Sequence, residues 1–227
     1  MNSPLANPCD ARHRIEIEPA LPCRCSTGVL CTAPRLTNRH EFREFNVRIE
    51  MRVLIAYASR YGATQGIAER IAATLDRRQL LPSVHPAQKA VDPAGFDAVI
   101  VGSASYYFHW MKPATNFVRH NSRVLADRPV WLFSSGPLGT KEKDDQGRNM
   151  REFLEPKEIA KFRTIVHPRD HHVFFGAFDS VRLSFTHRLI YKLPANRNDA
   201  LFPQGDFRNW QEIDAWAETI AESLKSH

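Results

Sequence analysis

The chain has 227 residues, of which 43% are hydrophobic and 25% charged, so it is long enough for one globular domain with its own core. All four cysteines lie in the first 50 residues, which excludes a disulfide framework for the remainder and leads us to expect a cytoplasmic protein. From Met51 onward 24 Lys and Arg stand against 19 Asp and Glu, and this formal charge of +5 favours anionic partners such as a membrane surface, nucleic acid or an acidic small molecule.

Residues 1–50 show none of the periodic patterns that predict helices or strands. Pro, Asn, Arg and Cys are scattered through them, and they contain no apolar stretch of the kind found in signal peptides. The Cys-Arg-Cys sequence with one further cysteine is a weak zinc pattern. We therefore interpret residues 1–50 as a disordered extension, or as sequence translated from an early start codon, and residues 51–227 as the working domain.

The first half of the working domain alternates strands with a helix. A continuous apolar run predicts a buried strand over 51–58, and apolar residues four apart (Ile67, Ile71 and Leu75) predict an amphipathic helix over about 64–77. A weaker strand over 81–87 contains two prolines, which suit a sheet edge. Another buried strand is predicted over 96–104.

The second half continues this alternation. Pro113 suits the first turn of a helix, a core strand is predicted over 129–136, and residues 156–164 are weakly helical. One more core strand follows over 171–178, and an amphipathic helix over 210–224 closes the chain. The apolar face of this last helix consists of Ile213, Trp216, Ala217, Ile220 and Leu224. The pattern predicts right-handed βαβ units and a parallel sheet with helices on both faces.

Ligands of such folds bind beyond the carboxyl ends of the strands. The first strand end carries two hydroxyls and a turn glycine before a helix start, which suits a phosphate; its residues are Ser59, Arg60, Tyr61, Gly62, Ala63 and Thr64. The spacing is not that of a dinucleotide-binding or P-loop motif. The strand also lacks the acidic residues of a receiver domain, and the working domain has no cysteine to serve as a phosphatase nucleophile. A plain tight turn with an N-cap at Thr64 is the alternative.

Two further strand ends complete a predicted site. The second is rich in aromatic residues, which either fold back as core or present flat faces to a planar ring; it contains Ser103, Ala104, Ser105, Tyr106, Tyr107, Phe108 and Trp110. The third offers small residues and backbone N–H groups, at Ser134, Ser135, Gly136, Pro137 and Leu138. A phosphate cradle, an aromatic wall and a polar rim are what flavin mononucleotide (FMN) requires, so we predict that these three loops bind FMN.

The chain also resembles flavodoxin-like proteins, and among them the family that includes menaquinone-dependent protoporphyrinogen oxidase. The resemblance covers nearly all of residues 51–227 and rests on the Ser59–Thr64 loop, GSASYYFHW at 102–110, VFFGAFD at 173–179 and GDFRNWQEIDAWA at 205–217. Ordinary flavodoxins usually have a hydroxyl residue where this chain has Tyr61, whereas Arg60 agrees with the oxidase-type loop. The resemblance implies a three-layer flavodoxin-like α/β fold with a central five-stranded parallel sheet.

The resemblance to the oxidase family also implies a redox function, in which FMN would take electrons from protoporphyrinogen IX and pass them to a quinone. The protein would supply orientation and electrostatics, so no catalytic side chain is assigned. Alternatives are a soluble flavodoxin-type electron carrier, an NAD(P)H:quinone reductase, and a non-enzymatic module that has lost flavin. Carriers of this type tend to be acidic, and the basic charge of this chain argues against that alternative. We expect no nucleic-acid partner.

Two further segments attract attention. Residues 181–193 interleave apolar residues with Arg182, Arg188 and Lys192. This pattern predicts a surface that contacts an anionic membrane, a quinone or a tetrapyrrole. The alternative is a helix that simply covers the sheet.

The sequence HPRDHH at 167–172 is rich in metal ligands. Adjacent residues of a strand point to opposite faces, so we expect His171 and His172 not to share an ion and predict no metal site.

Overall fold

The parallel sheet forms the centre of the fold. The computed structural model describes residues 51–89, 92–136, 143, 146–179 and 204–226. Its five parallel strands are β1 (Arg52–Ala58), β2 (Leu81–Pro86), β3 (Ala98–Tyr106), β5 (Val130–Ser135) and β6 (Asp170–Phe174). A short strand, β4 (His109–Trp110), pairs antiparallel with the end of β3. The parallel strands lie in the order β2-β1-β3-β5-β6. This order and direction confirm the predicted flavodoxin-like fold with a five-stranded parallel sheet.

Helices cover both faces of this sheet. They are α1 (Ala63–Arg77), α2 (Lys112–His120), α3 (Ser122–Ala126), α4 (Met150–Phe153), α5 (Glu158–Ile165) and α6 (Trp210–Lys225), with a 3-10 turn at Pro93–Gly95. One hydrophobic cluster packs α1 and α6 against one face, and a second packs α2, α3 and α5 against the other. The five residues predicted to form the apolar face of α6 are all buried, as expected. In the described part of the chain, no helix is both long and apolar enough to span a membrane.

The prolines of β2 lie where the sequence predicts them. Pro82 and Pro86 pair only with β1, because β2 is the edge strand of the sheet. A central strand would lose a ladder hydrogen bond at each proline, whereas an edge strand leaves one side of its backbone without a neighbour.

One predicted strand is wrong in its extent. The core strand expected over 171–178 ends at Phe174, because its neighbour β5 ends at Ser135, opposite Phe174. The chain then turns, and β7 (Ala177–Phe178) pairs antiparallel with β8 (Gly205–Asp206) in a separate two-stranded sheet. The predicted basic segment 181–193 follows β7 and lies outside the described residues, as do residues 1–50.

Candidate cofactor site

The loops at the carboxyl ends of β1, β3 and β5 meet at one cavity of about 280 Å³. Ten of the predicted site residues line it: Ser59, Tyr61, Ala63, Thr64, Ala104, Ser105, Tyr106, Tyr107, Ser135 and Gly136. Arg60, Gly62, Ser103, Phe108, Trp110 and Ser134 are placed next to or behind these walls. Pro137 and Leu138 lie outside the described residues.

The first loop is shaped by Gly62, which caps the N-terminus of α1. Gly62 has a φ of 88°, a left-handed conformation that glycine adopts without a steric penalty. Its N–H donates to Ser59 Oγ at 3.0 Å, which leaves the Ser59 hydroxyl hydrogen available for another acceptor. No acidic residue occupies the first turn of α1, so its backbone N–H groups and positive dipole end suit an anion.

The environment of the Thr64 hydroxyl is unusual. Only 1% of the surface of Thr64 is exposed, yet its Oγ1 atom has no hydrogen-bond partner among the residues that the structure describes. The alternative prediction of an N-cap at Thr64 is wrong, because the cap is Gly62 and Thr64 lies inside the helix. Buried hydroxyls nearly always find a partner. An unpartnered hydroxyl in a cavity wall at a helix N-terminus therefore fits a bound phosphate.

The second loop is a tight hairpin between β3 and β4 (His109–Trp110). Tyr106 pairs with His109, and the two intervening residues, Tyr107 and Phe108, have φ angles of 51° and 63°. Such turns normally use Asn or Gly, and each non-glycine residue in this region costs about 1–2 kcal/mol. Tyr107 is nonetheless 88% exposed beside the cavity. Backbone strain of this kind is concentrated at functional sites.

The start of α5 holds this hairpin in place. Glu158 accepts a hydrogen bond from the Trp110 N–H at 3.1 Å and lies 2.8 Å from His109 Nδ1, while the Lys157 N–H donates to the Phe108 carbonyl at 3.0 Å. Burial alone would raise the pKa of Glu158, but the hydrogen bonds from His109 and the Trp110 amide lower it overall. Glu158 therefore remains a charged acceptor that fixes the strained turn from one side.

Arg60 and Tyr106 join the first two loops. The Arg60 guanidinium lies 5.4 Å from the centre of the Tyr106 ring, within cation–π distance. Burial raises the pKa of Tyr106 despite the opposing charge of Arg60, so its hydroxyl stays protonated at neutral pH. The contact places a positive charge beside the mouth of the cavity.

Three of the predicted residues use their polar atoms inside the protein instead. Ser103 Oγ donates to the Ala104 carbonyl at 2.9 Å and accepts from the Met111 N–H at 3.0 Å. Trp110 Nε1 donates to Ser134 Oγ at 2.8 Å, and both residues are buried. The structure thus places Ser103, Trp110 and Ser134 behind the cavity wall, where they support the loops.

The turn after β6 was missing from the predicted site. Gly176, Ala177 and Phe178 line the same cavity, because the chain leaves the sheet at this point. A second cavity of about 440 Å³ shares Ala177 and Phe178 and extends toward Arg208. The Arg208 guanidinium pairs with Asp206 and donates to the Ala63 carbonyl at 3.2 Å, beside the start of α1. The sequence predicts one continuous strand over 171–178, and such a strand would leave no loop at this position.

The two adjacent histidines of β6 face different layers, as predicted. His171 Nδ1 lies 3.0 Å from Glu155, and His172 Nε2 lies 2.7 Å from Glu212 of α6. Among the described residues, no three His, Cys, Asp or Glu side chains are grouped so that they could hold a metal ion.

Comparisons with known proteins bear on the identity of this fold. A family model described as "Flavodoxin domain" matches residues 54–200. No curated protein matches the sequence. A flavodoxin from the domain Archaea is 16% identical with a TM-score of 0.49, covering 77% of this chain and 99% of that chain. Flavodoxin 2 from Bacillus cereus is 17% identical with a TM-score of 0.48, covering 76% of this chain and 99% of that chain.

A longer protein also matches. Rubredoxin oxygen:oxidoreductase from Desulfovibrio gigas is 13% identical with a TM-score of 0.48, and the match covers 77% of this chain but only 36% of that chain. The more specific resemblance to protoporphyrinogen oxidases gains no support from these matches.

Proposed function

The chain belongs to the flavodoxin domain family, and we propose that it binds one FMN noncovalently at the carboxyl edge of its sheet and acts as an electron-transfer flavoprotein. The observation that carries this proposal is the buried, unpartnered Oγ1 of Thr64 in the cavity wall. A phosphate oxygen would give this hydroxyl the acceptor that none of the described residues provides.

The first loop would hold the phosphate. The Thr64 and Ser59 hydroxyls would donate to phosphate oxygens, and the N–H groups of the first turn of α1 would add their positive dipole. Gly62 adopts a φ of 88°, at which a residue with a side chain would be strained. Because glycine has no side chain, it also allows the phosphate to approach the backbone closely. Arg208 adds a positive charge nearby, although Asp206 neutralises part of it.

The other loops would hold the ring. Tyr106 and Tyr107 provide aromatic surface in the cavity wall, and Ser135 and Gly136 provide small polar groups beside the end of β3. Bound FMN would supply the one- and two-electron redox chemistry. The side chains would exclude water and fix the orientation of the ring, and the hydrogen bonds from Lys157 and to Glu158 hold the backbone of the hairpin that carries Tyr107.

The electron donor and acceptor require a separate proposal. The family match favours a flavodoxin-type electron carrier. A second candidate is oxidation of protoporphyrinogen IX with transfer of electrons to a quinone. The formal charge of +5 and the position of Arg60 favour it, since both suit a substrate that bears carboxylates or a membrane surface that is anionic.

Purified protein tests these proposals in two steps. We expect it to bind FMN in titrations followed by flavin fluorescence, and absence of binding would refute the cofactor assignment. The loaded protein is then incubated anaerobically with protoporphyrinogen, with and without a menaquinone analogue. Quinone-dependent formation of protoporphyrin supports the second candidate, whereas its absence, with reduction by a flavodoxin reductase, supports the carrier.

A further inference from the structure

A continuous chain of hydrogen bonds runs behind the candidate cofactor site. Trp110 Nε1 donates to Ser134 Oγ at 2.8 Å, and Ser134 Oγ lies 2.8 Å from His171 Nε2. His171 Nδ1 lies 3.0 Å from Glu155 Oε1, and Arg163 donates to both carboxylate oxygens of Glu155. We refer to these five residues as the hydrogen-bond chain.

The chemistry of the two ends fixes the direction of every hydrogen bond. An indole N–H can only donate, so Ser134 Oγ accepts from Trp110 and is free to donate its own hydrogen to His171 Nε2. A carboxylate can only accept, so His171 must donate from Nδ1 to Glu155. A neutral imidazole with its proton on Nδ1 satisfies both demands. A doubly protonated imidazole would direct a second N–H at Ser134 and leave the serine hydrogen without its acceptor.

The surroundings of His171 agree with the neutral form. Its side chain is 2% exposed, and burial lowers its pKa to about 4, against the opposing charge of Glu155. Arg163 disfavours a further positive charge, and Asp170 favours it. The carboxylate of Asp170 is already engaged by Trp216 Nε1 at 2.6 Å, and that of Glu155 by Arg163.

The hydrogen-bond chain connects the segments that form the cavity. Trp110 ends the aromatic hairpin, Ser134 precedes the rim residues Ser135 and Gly136, and β6, which contains His171, leads into the Gly176 turn. All three segments contribute walls to the same cavity. Hydrogen bonds that converge on Ser134 and His171 thus connect the aromatic hairpin, the end of β5 and β6.

We propose that His171 is a positioning residue for the flavin ring. As a neutral imidazole protonated on Nδ1, it accepts a hydrogen bond from Ser134, which in turn accepts one from Trp110. These hydrogen bonds fix the positions of the loops that form the ring site. The inference rests on the proposed function. His171 lies behind Ser134 and would act through it, without touching the cofactor.

The protonation state is tested first, without any cofactor. Imidazole ¹⁵N spectra of the full chain at pH 7, with the His171 signals assigned by their loss in His171→Ala, should show a neutral ring with its proton on Nδ1. A proton on Nε2, or a doubly protonated ring, would overturn the inference. The Trp110 indole proton should shift in His171→Ala, and the Trp216 indole proton, which is bound to Asp170, serves as reference.

The effect on the ring site is tested with riboflavin, which lacks the phosphate. His171→Ala should weaken riboflavin binding about tenfold, because the loops of the ring site would then have to be ordered when the flavin binds, and should change the visible spectrum of the bound flavin. His172→Ala is the matched control. His172 is the next residue of β6 and is also hydrogen-bonded to a carboxylate, that of Glu212, but it faces the opposite layer. It should leave riboflavin affinity unchanged.

A second variant keeps the test decisive if His171→Ala does not fold. Ser134→Ala removes one hydroxyl and should weaken riboflavin binding to a similar extent. Where both variants fold, their effects should not add in the double variant, because they break the same chain. Wild-type affinity for riboflavin with no change in either variant would refute the positioning role. Absence of flavin binding by the wild-type protein would instead refute the proposed function, and the positioning role with it.

Discussion

Replacing Thr64 with valine should have opposite effects on the free and the FMN-bound protein. Valine has the shape of threonine but exchanges the hydroxyl for a methyl group. Without flavin, Oγ1 of Thr64 is buried and has no partner in the described part of the chain, a situation that costs about 1–3 kcal/mol. Removing it should stabilise the free protein by roughly 1 kcal/mol, or a rise in Tm of about 2–4 °C for a domain of this size.

FMN binding should respond in the other direction. The hydroxyl would donate a hydrogen bond to a charged phosphate, a contact worth about 1.5–3 kcal/mol. Thr64→Val should therefore weaken FMN binding about tenfold to a hundredfold, while riboflavin binding stays the same because the ring site is unchanged. Thr64→Ser is the control that keeps the hydroxyl and should retain FMN affinity.

Two measurements check this reasoning. Thermal unfolding without flavin reports the effect on the free protein, and fluorescence titrations with FMN and riboflavin report the effect on binding. A loss of stability in flavin-free Thr64→Val would mean that the hydroxyl has a partner in the folded protein. Equal losses of FMN and riboflavin affinity would place the phosphate elsewhere.

Three other perturbations test the fold and the surface. Gly102→Ala should prevent folding or cost at least about 1–3 kcal/mol, because its Cβ would lie 1.9 Å from the Phe133 ring, whereas Gly95→Ala, whose nearest neighbour is 4.0 Å away, should be tolerated in denaturant titrations. Glu212 should make stability depend on pH between 4.5 and 2, because hydrogen bonds from His172 and Arg151 outweigh burial and hold its pKa at about 2. Its share of the acid-induced loss is up to about 3 kcal/mol. In acid unfolding curves Glu212→Gln should therefore lose less stability over this range than the wild-type protein, although Glu158, whose pKa is also lowered, keeps part of the dependence. Replacing both arginines and the lysine of segment 181–193 with glutamine should reduce sedimentation with anionic liposomes and quinone-linked turnover but leave FMN bound, and unchanged sedimentation would contradict a membrane role for this segment.

Most of the fold could be predicted because its signals are local. The continuous apolar runs of β1, β3 and β5 have no polar face, which is typical of strands that are covered on both sides. The prolines of β2 identify the edge strand from their chemistry alone. Strand ends were less accurate, since β3 continues two residues beyond the predicted end at 104 to pair with His109 and Trp110.

The location of the candidate site was also predictable, but its detailed geometry was not. The rule that ligands bind beyond the carboxyl ends of parallel strands identified three of its loops. The left-handed conformations of Tyr107 and Phe108 carried no signal, because aromatic residues rarely adopt them and their anchors Lys157 and Glu158 lie about 50 positions away. The turn at Gly176 was missed because an apolar strand pattern continues across it.

Strand geometry also explains the different roles of Ser134 and Ser135. Neighbouring residues of a strand point to opposite faces, so Ser134 and Ser135 direct their side chains into different layers. Ser134 is aligned with Ser103 on β3, and His171 is aligned with Leu132, two residues before Ser134. Ser103, Ser134 and His171 therefore lie on one face of the sheet, and hydrogen bonds within the protein engage all three. Once the strand register is known, alternation separates Ser134 from Ser135, which lines the cavity, and places Ser134 on the face where His171 lies within reach.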